Sequence, residues 1–168
     1  IDSVSIYVLR VTVFTTNTFH LTNARWSDNL VGVLPTGYSM SIAPPGLINN
    51  TCGGIVTAVP GTADLRLNGG SVPAQVGATP GECYVEINVT STTPGNLINE
   101  IPANNLNANG NDGGVPVTIT NTSLARATLA VVAVTPPTLS KGFSPNTISM
   151  GNVSTLSITD NKGRVSGL

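Results

Sequence analysis

Apolar and polar positions alternate most regularly between Glu82 and Thr90. Cys83, Val85, Ile87 and Val89 take one phase, and Glu82, Tyr84, Glu86, Asn88 and Thr90 the other, which is the period of a strand with one buried and one wet face. Cys83 falls on the buried phase. Cys52 precedes another short apolar run, Ile55 to Val59, so a Cys52–Cys83 bridge would tie two strands together across an intervening turn at Asn68-Gly69-Gly70. Closing that loop would be worth roughly 3 to 4 kcal/mol. The alternative is a pair of unlinked buried thiols.

The same periodicity, interrupted by turn residues, runs along the rest of the chain. Val4 to Phe14 carries apolar residues on both phases, which predicts a central or docking strand, covered on both sides or bent by a bulge near Val8-Leu9. Thr18 to Thr22 places Phe19 and Leu21 inward and His20 outward, with Asn23 as its end. Trp26 to Leu34 leads into a Pro35-Thr36-Gly37 turn; Tyr38, Met40 and Ile42 then alternate with serines until Pro44-Pro45-Gly46 stops them. After a turn at Thr93-Pro94-Gly95 comes a short strand, Asn96 to Ile101. Asn104 to Gly114 reads as an exposed loop, too polar and glycine-rich to pack. Val115, Val117 and Ile119 resume the alternation, and Leu124 to Val134 is the longest late strand. No segment carries helical periodicity with caps, so the expectation is an all-β, antiparallel β-sandwich over residues 1–135.

From Pro136 the character changes. Pro136-Pro137 is a stiff extended break, and the following segment, residues 136–168, reads as an extended tail that resembles the opening of a further domain. Leu139, Lys141 and Phe143 share one phase of its first strand; after a Ser144-Pro145 turn come Ile148 and a second strand with Leu156 and Ile158 inward. Apolar strands with no sheet of their own leave unpaired edges, and such edges invite another chain.

Composition narrows the function classes. Only 9% of residues are charged and the net charge is -1, so no basic field exists for nucleic acid or anionic lipid. No apolar run reaches the length of a membrane span. The start Ile1-Asp2-Ser3 has no signal-like character, so an exported protein would be represented here in processed or trimmed form. An even cysteine count and only two lysines, Lys141 and Lys162, agree with an oxidising, extracellular destination.

The chemistry of catalysis is not legible. His20 is the single histidine and has no acid or cysteine within five residues; no nucleophile elbow, zinc set, phosphate loop or dinucleotide fingerprint occurs. The expectation is no enzyme, no cofactor and no metal. Asp112 in Asn107 to Gly114 faintly resembles a calcium loop but supplies one carboxylate, far short of such a site. Lys141, on the inward phase of its strand, could form an amide cross-link with an Asn or Asp beside a buried acid if burial lowered its pKa. The plainer role is a lysine that snorkels or guards the edge. Sequons stand at Asn49, Asn88, Asn121 and Asn152.

The segments LSKGFSPNTISMGNVSTLSIT (139–159), DNLVGVLPTGY (28–38), TCGG (51–54), LNGGSVPA (67–74), GECYVEINVTSTTPGNLINEIPAN (81–104) and ATLAV (127–131) carry a resemblance. They resemble the repeat domain of large bacterial surface and extracellular proteins known as domain of unknown function eleven, with its relatives. The resemblance implies an Ig-like β-sandwich used in tandem as a stalk or adhesin, at the bacterial cell surface or outside the cell, with no enzymatic activity in the repeat. Such repeats open with the Lys-x-Phe-x-Pro segment and the Ser-Thr-Leu strand after it, yet here that opening stands at 141–145 and 154–156. At the other end, Asn17 to Asn23 sits where Ser154 to Asn161 would. The tail is then either a linker within a tandem array or a strand that completes the next copy's sandwich, and the unpaired edges favour the second. The expected function is a filament or stalk subunit whose partners are copies of itself. The alternative is an adhesin repeat that binds glycan through Asn104 to Gly114 or Pro44 to Asn50, with Trp26, Tyr38 and Tyr84 as candidate sugar platforms.

Overall fold

The computed structural model describes residues 5–161. Ile1-Asp2-Ser3, Val4 at the start of the first expected strand, and 162–168 at the end of the expected tail lie outside the described residues. Every regular element among those described is a β-strand: β1 (Tyr7–Thr15), β2 (Leu21–Asn29), β3 (Ser41–Asn50), β4 (Ile55–Ala58), β5 (Asp64–Val72), β6 (Gly81–Thr90), β7 (Gly95–Ile101), β8 (Asn107–Asp112), β9 (Val115–Thr120), β10 (Ala125–Val131), β11 (Thr138–Ser144) and β12 (Thr155–Asn161). The chain divides into two units between Val131 and Val132.

In the first unit all pairings are antiparallel. The strands form a five-stranded sheet in the order β4-β5-β2-β8-β9, a three-stranded sheet β1-β6-β3 and a pair β10-β7. Their inner faces enclose one core in a β-sandwich: Leu21, Ala24 and Trp26 of β2 and Leu65, Leu67 and Val72 of β5 meet Val85, Ile87 and Val89 of β6 and Leu97 of β7. The alternation over Glu82 to Thr90 is realised residue by residue in β6, with Cys83, Val85, Ile87 and Val89 all buried.

Several local expectations are corrected. The first strand is neither bulged nor covered on both faces. β1 runs against β6 in unbroken register from Tyr7↔Val89 to Thr15↔Gly81 and, among the described residues, has no neighbour on its other edge. Its odd-numbered residues from Tyr7 to Val13 face the core, while Val8 and Phe14 on the other phase are 61% and 68% exposed. Asn23 does not end a strand: it takes φ 51° where the β2–β5 pairing shifts register, a bulge that β2 passes through. Nor do Pro44 and Pro45 stop β3, because they lie at the shift between Ile42 and Leu47, where a missing N–H costs no ladder bond.

Asn68-Gly69-Gly70 is not the turn between the cysteines but part of β5. Gly70 opposes Ala24 of β2, and a Cβ there would come within 2.9 Å of Leu67 Cδ2 and 3.4 Å of Cys52 Cβ. Close approach, rather than chain reversal, is what demands glycine. The Asn104 to Gly114 segment is likewise no exposed loop: β8 pairs with both β2 and β9, and the reversal is confined to Gly113 and Gly114, at φ 59° and 95°. The strand was hidden because the only fully buried side chain of β8 is Ala108; its cohesion comes from backbone bonds, which leave little hydrophobic signature.

In the second unit β11 and β12 form a two-stranded antiparallel hairpin, in register from Thr138↔Asn161 to Ser144↔Thr155. Every described side chain of both strands is exposed.

Candidate functional site

Cys52 and Cys83 are bonded, with Sγ–Sγ 2.09 Å and Cα–Cα 4.8 Å across 31 residues of chain. Cys52 stands where the chain leaves β3 for β4 and so passes from one sheet to the other. Just before it, the Thr51 N–H donates to the Tyr84 carbonyl of β6 at 2.9 Å; the Cys52 carbonyl accepts from Ser71 N of β5 at 2.8 Å. The bridge and these bonds together fasten the two layers at one point. A buried disulfide and the lack, among the described residues, of any helix long and apolar enough to cross a membrane are compatible with a secreted or surface protein.

Beside the free edge of β1 lies an apolar groove of about 490 Å³. Val11 and Val13 of β1, Leu21 and Trp26 of β2, Ile101 of β7 and Leu124 are among the residues that line it. The indole of Trp26 is 4% exposed, yet among the described residues its Nε1–H has no acceptor. Burial also removes Trp26 from the candidate sugar platforms. Of the other two, Tyr38 is exposed and Tyr84 is half-buried under the Arg10 guanidinium, 4.2 Å from its ring centroid.

One pleat from Trp26, Asp28 is 3% exposed. Its Oδ1 accepts from Asn99 Nδ2 of β7 at 2.7 Å, while Oδ2 has no partner among the described residues. Burial among apolar side chains pushes the carboxyl above the ordinary aspartate range, and the Asn99 hydrogen bond only partly opposes it. The folded state therefore holds this proton more tightly than the unfolded chain does. Its stabilising effect is complete below the unfolded carboxyl pKa and is lost as pH rises through the higher folded value. Asp28→Asn, which keeps the shape and the acceptor, is expected to unfold at a higher temperature than the parent at neutral pH, with the difference shrinking on acidification. A parent-like melting profile from acid to neutral pH would contradict the assignment.

Sequence reasoning missed both members of this pair, although a signal was present: Asp28 and Asn99 are polar residues on apolar phases, one after Trp26 and the other between Leu97 and Ile101. Asn121, noted as a sequon, is a clasp. Its Nδ2 donates to the carbonyls of Pro102 and Ser123, and its Oδ1 accepts from Leu106 N. His20 is an exposed residue just before β2.

In the hairpin, Leu139 and Phe143 of β11 are 74% and 60% exposed, and Leu156 and Ile158 of β12 are 48% and 64% exposed. Ile148, in the connection between them, is also exposed. Lys141 lies opposite Ile158, between Leu139 and Phe143 along β11, and is solvent-exposed. Among the described residues no second layer covers this face within the unit, and the Lys141 stem, expected to point inward, is exposed there.

No curated protein and no solved structure matches the chain. A family model does match, over residues 2–131, and it is not the domain of unknown function eleven that the motifs resemble. With most of its length covered, the chain belongs to the family described as Domain of unknown function (DUF7933).

Proposed function

We propose that the protein is a structural subunit of an extracellular, bacterial filament or surface stalk, assembling head-to-tail by sharing or exchanging terminal β-strands. The observation that carries this reading is the β11–β12 hairpin. A two-stranded ribbon is marginal in water on its own, and this one leaves Leu139, Phe143, Leu156 and Ile158 uncovered. An apolar ribbon with open edges gains stability by joining another sheet. The first unit supplies a matching need, since β1, among the described residues, has a free edge beside an apolar groove. Because donor and acceptor are different surfaces, their contact is heterologous and propagates instead of closing.

Light scattering on the full chain tests this. Mass is expected to rise with concentration, with filaments visible by electron microscopy, whereas the Leu139→Asp, Phe143→Asp double variant is expected to stay monomeric with an unchanged β-sheet spectrum. A full chain that remains monomeric up to millimolar concentration would overturn the proposal.

A further inference from the structure

The two buried side-chain polar atoms left without partners among the described residues, Trp26 Nε1 and Asp28 Oδ2, belong to one face of β2 and stand two residues apart, about 6.8 Å along a strand. On β7 the same step separates Ile101, which lines the groove, from Asn99, which bonds Asp28. The buried acid–amide pair therefore lies one strand step beyond Trp26 and Ile101 of the groove lining. An amine on a long apolar stem laid in the groove would reach toward it.

The hairpin identifies a strand that carries one. Leu156-Ser157-Ile158-Thr159 of β12 also shares the apolar-polar-apolar-Thr pattern of Leu9-Arg10-Val11-Thr12 of β1. The partner of β12 is β11, with Phe143 opposite Leu156 and Lys141 opposite Ile158. Carried over to the free edge of β1, the same register sets Phe143 opposite Leu9 and Lys141 opposite Val11, one of the residues that line the groove.

Resting on the strand-sharing reading above, we propose that β11 of a second copy lies along the free edge of β1, and that its Lys141 forms an amide bond with the side chain of Asn99 beside Asp28. The neutral amine attacks Asn99 Cγ. The Nζ–Cγ bond forms and the Cγ–Nδ2 bond breaks; a proton from Nζ passes through the Asp28 carboxyl to the departing nitrogen, which leaves as ammonia. Nothing is oxidised or reduced and no cofactor is required. The Asp28 carboxyl, which burial holds toward its protonated form, stands 2.7 Å from Asn99 Nδ2, the nitrogen that leaves, and is placed to protonate it. Each junction of the filament would thereby become covalent.

The test is denaturing electrophoresis under reducing conditions, with intact mass, on the assembled full chain. A ladder of multimers is expected, each lighter than the sum of its chains by one ammonia per junction, with a fragment joining Lys141 to Asn99. Lys141→Ala, at an exposed position that leaves folding intact, and Asn99→Ala are each expected to abolish the ladder. As a second measurement, a synthetic peptide spanning Pro137 to Pro145, added to full-chain Lys141→Ala, is expected to attach covalently with loss of one ammonia. Assemblies that separate into chains of full mass, with no peptide attached, would overturn the cross-link and leave strand sharing standing. Absence of assembly would overturn both. A monomer lighter by one ammonia would make the donor the same chain and overturn the link between copies.

Discussion

Replacing Cys52 and Cys83 together by alanine is expected to remove roughly 3 to 4 kcal/mol of stability from the first unit and to lower its melting temperature by on the order of 10 °C. Most of the loss arises in the unfolded chain, where the bridge closes a loop of 31 residues. The fold concentrates that restraint where it matters. Cys52 marks the crossing from one layer to the other, and the loop it closes contains β4, β5 and the start of β6. The bridge holds the two sheets in register while β5, with a bulge between Leu67 and Gly70, makes its irregular pairing to β2. Urea titration measures the change, and a loss below about 1 kcal/mol would show that packing alone holds the layers together.

Ile87→Ala is expected to cost about 4 kcal/mol, comparable to the whole disulfide. Ile87 is 0% exposed at the middle of β6, the central strand of its sheet, opposite Leu9 of β1 and Leu47 of β3. Because β6 is paired on both edges, neither neighbour can move in to fill the cavity without breaking a ladder. The same truncation at Val8, on the exposed phase of β1, is expected to change stability by less than about 0.5 kcal/mol. Equal losses at the two positions, read from urea midpoints at constant slope, would contradict the assignment of faces.

Where one face of a strand is buried and the chain is regular, the amino-acid pattern reveals the element, as in β6 and its buried cysteine. It fails where backbone geometry does the work that side chains do elsewhere. In β8 a single buried alanine and a run of Asn and Gly look like loop, because the ladder bonds to β2 and β9 are invisible to periodicity. In β2 the bulge at Asn23 shifts the phase, so Leu21 and Ala24 both face the core and strict alternation resumes only at Ala24, Trp26 and Asp28. The inward position of Asp28 depends on that shift. Proline and glycine mislead for a related reason: at Pro44-Pro45 and Gly69-Gly70 they mark irregularities inside strands, not ends. Of the candidate site, the disulfide was legible, because the two cysteines are paired by count and one of them sits on a buried phase. The acid–amide pair needed the third dimension, since Asp28 and Asn99 are separated by 71 positions.

Residue-resolved hydrogen exchange of the β1 amides, in dilute and in assembled protein, tests strand sharing most directly, with the amides that point toward β6 as the internal reference. Amides of β1 that point away from β6 are expected to exchange freely in dilute solution and to become protected on assembly, while those bonded to β6 stay protected throughout. Free exchange of the outward amides in both states would contradict the proposal that a foreign β11 completes this sheet.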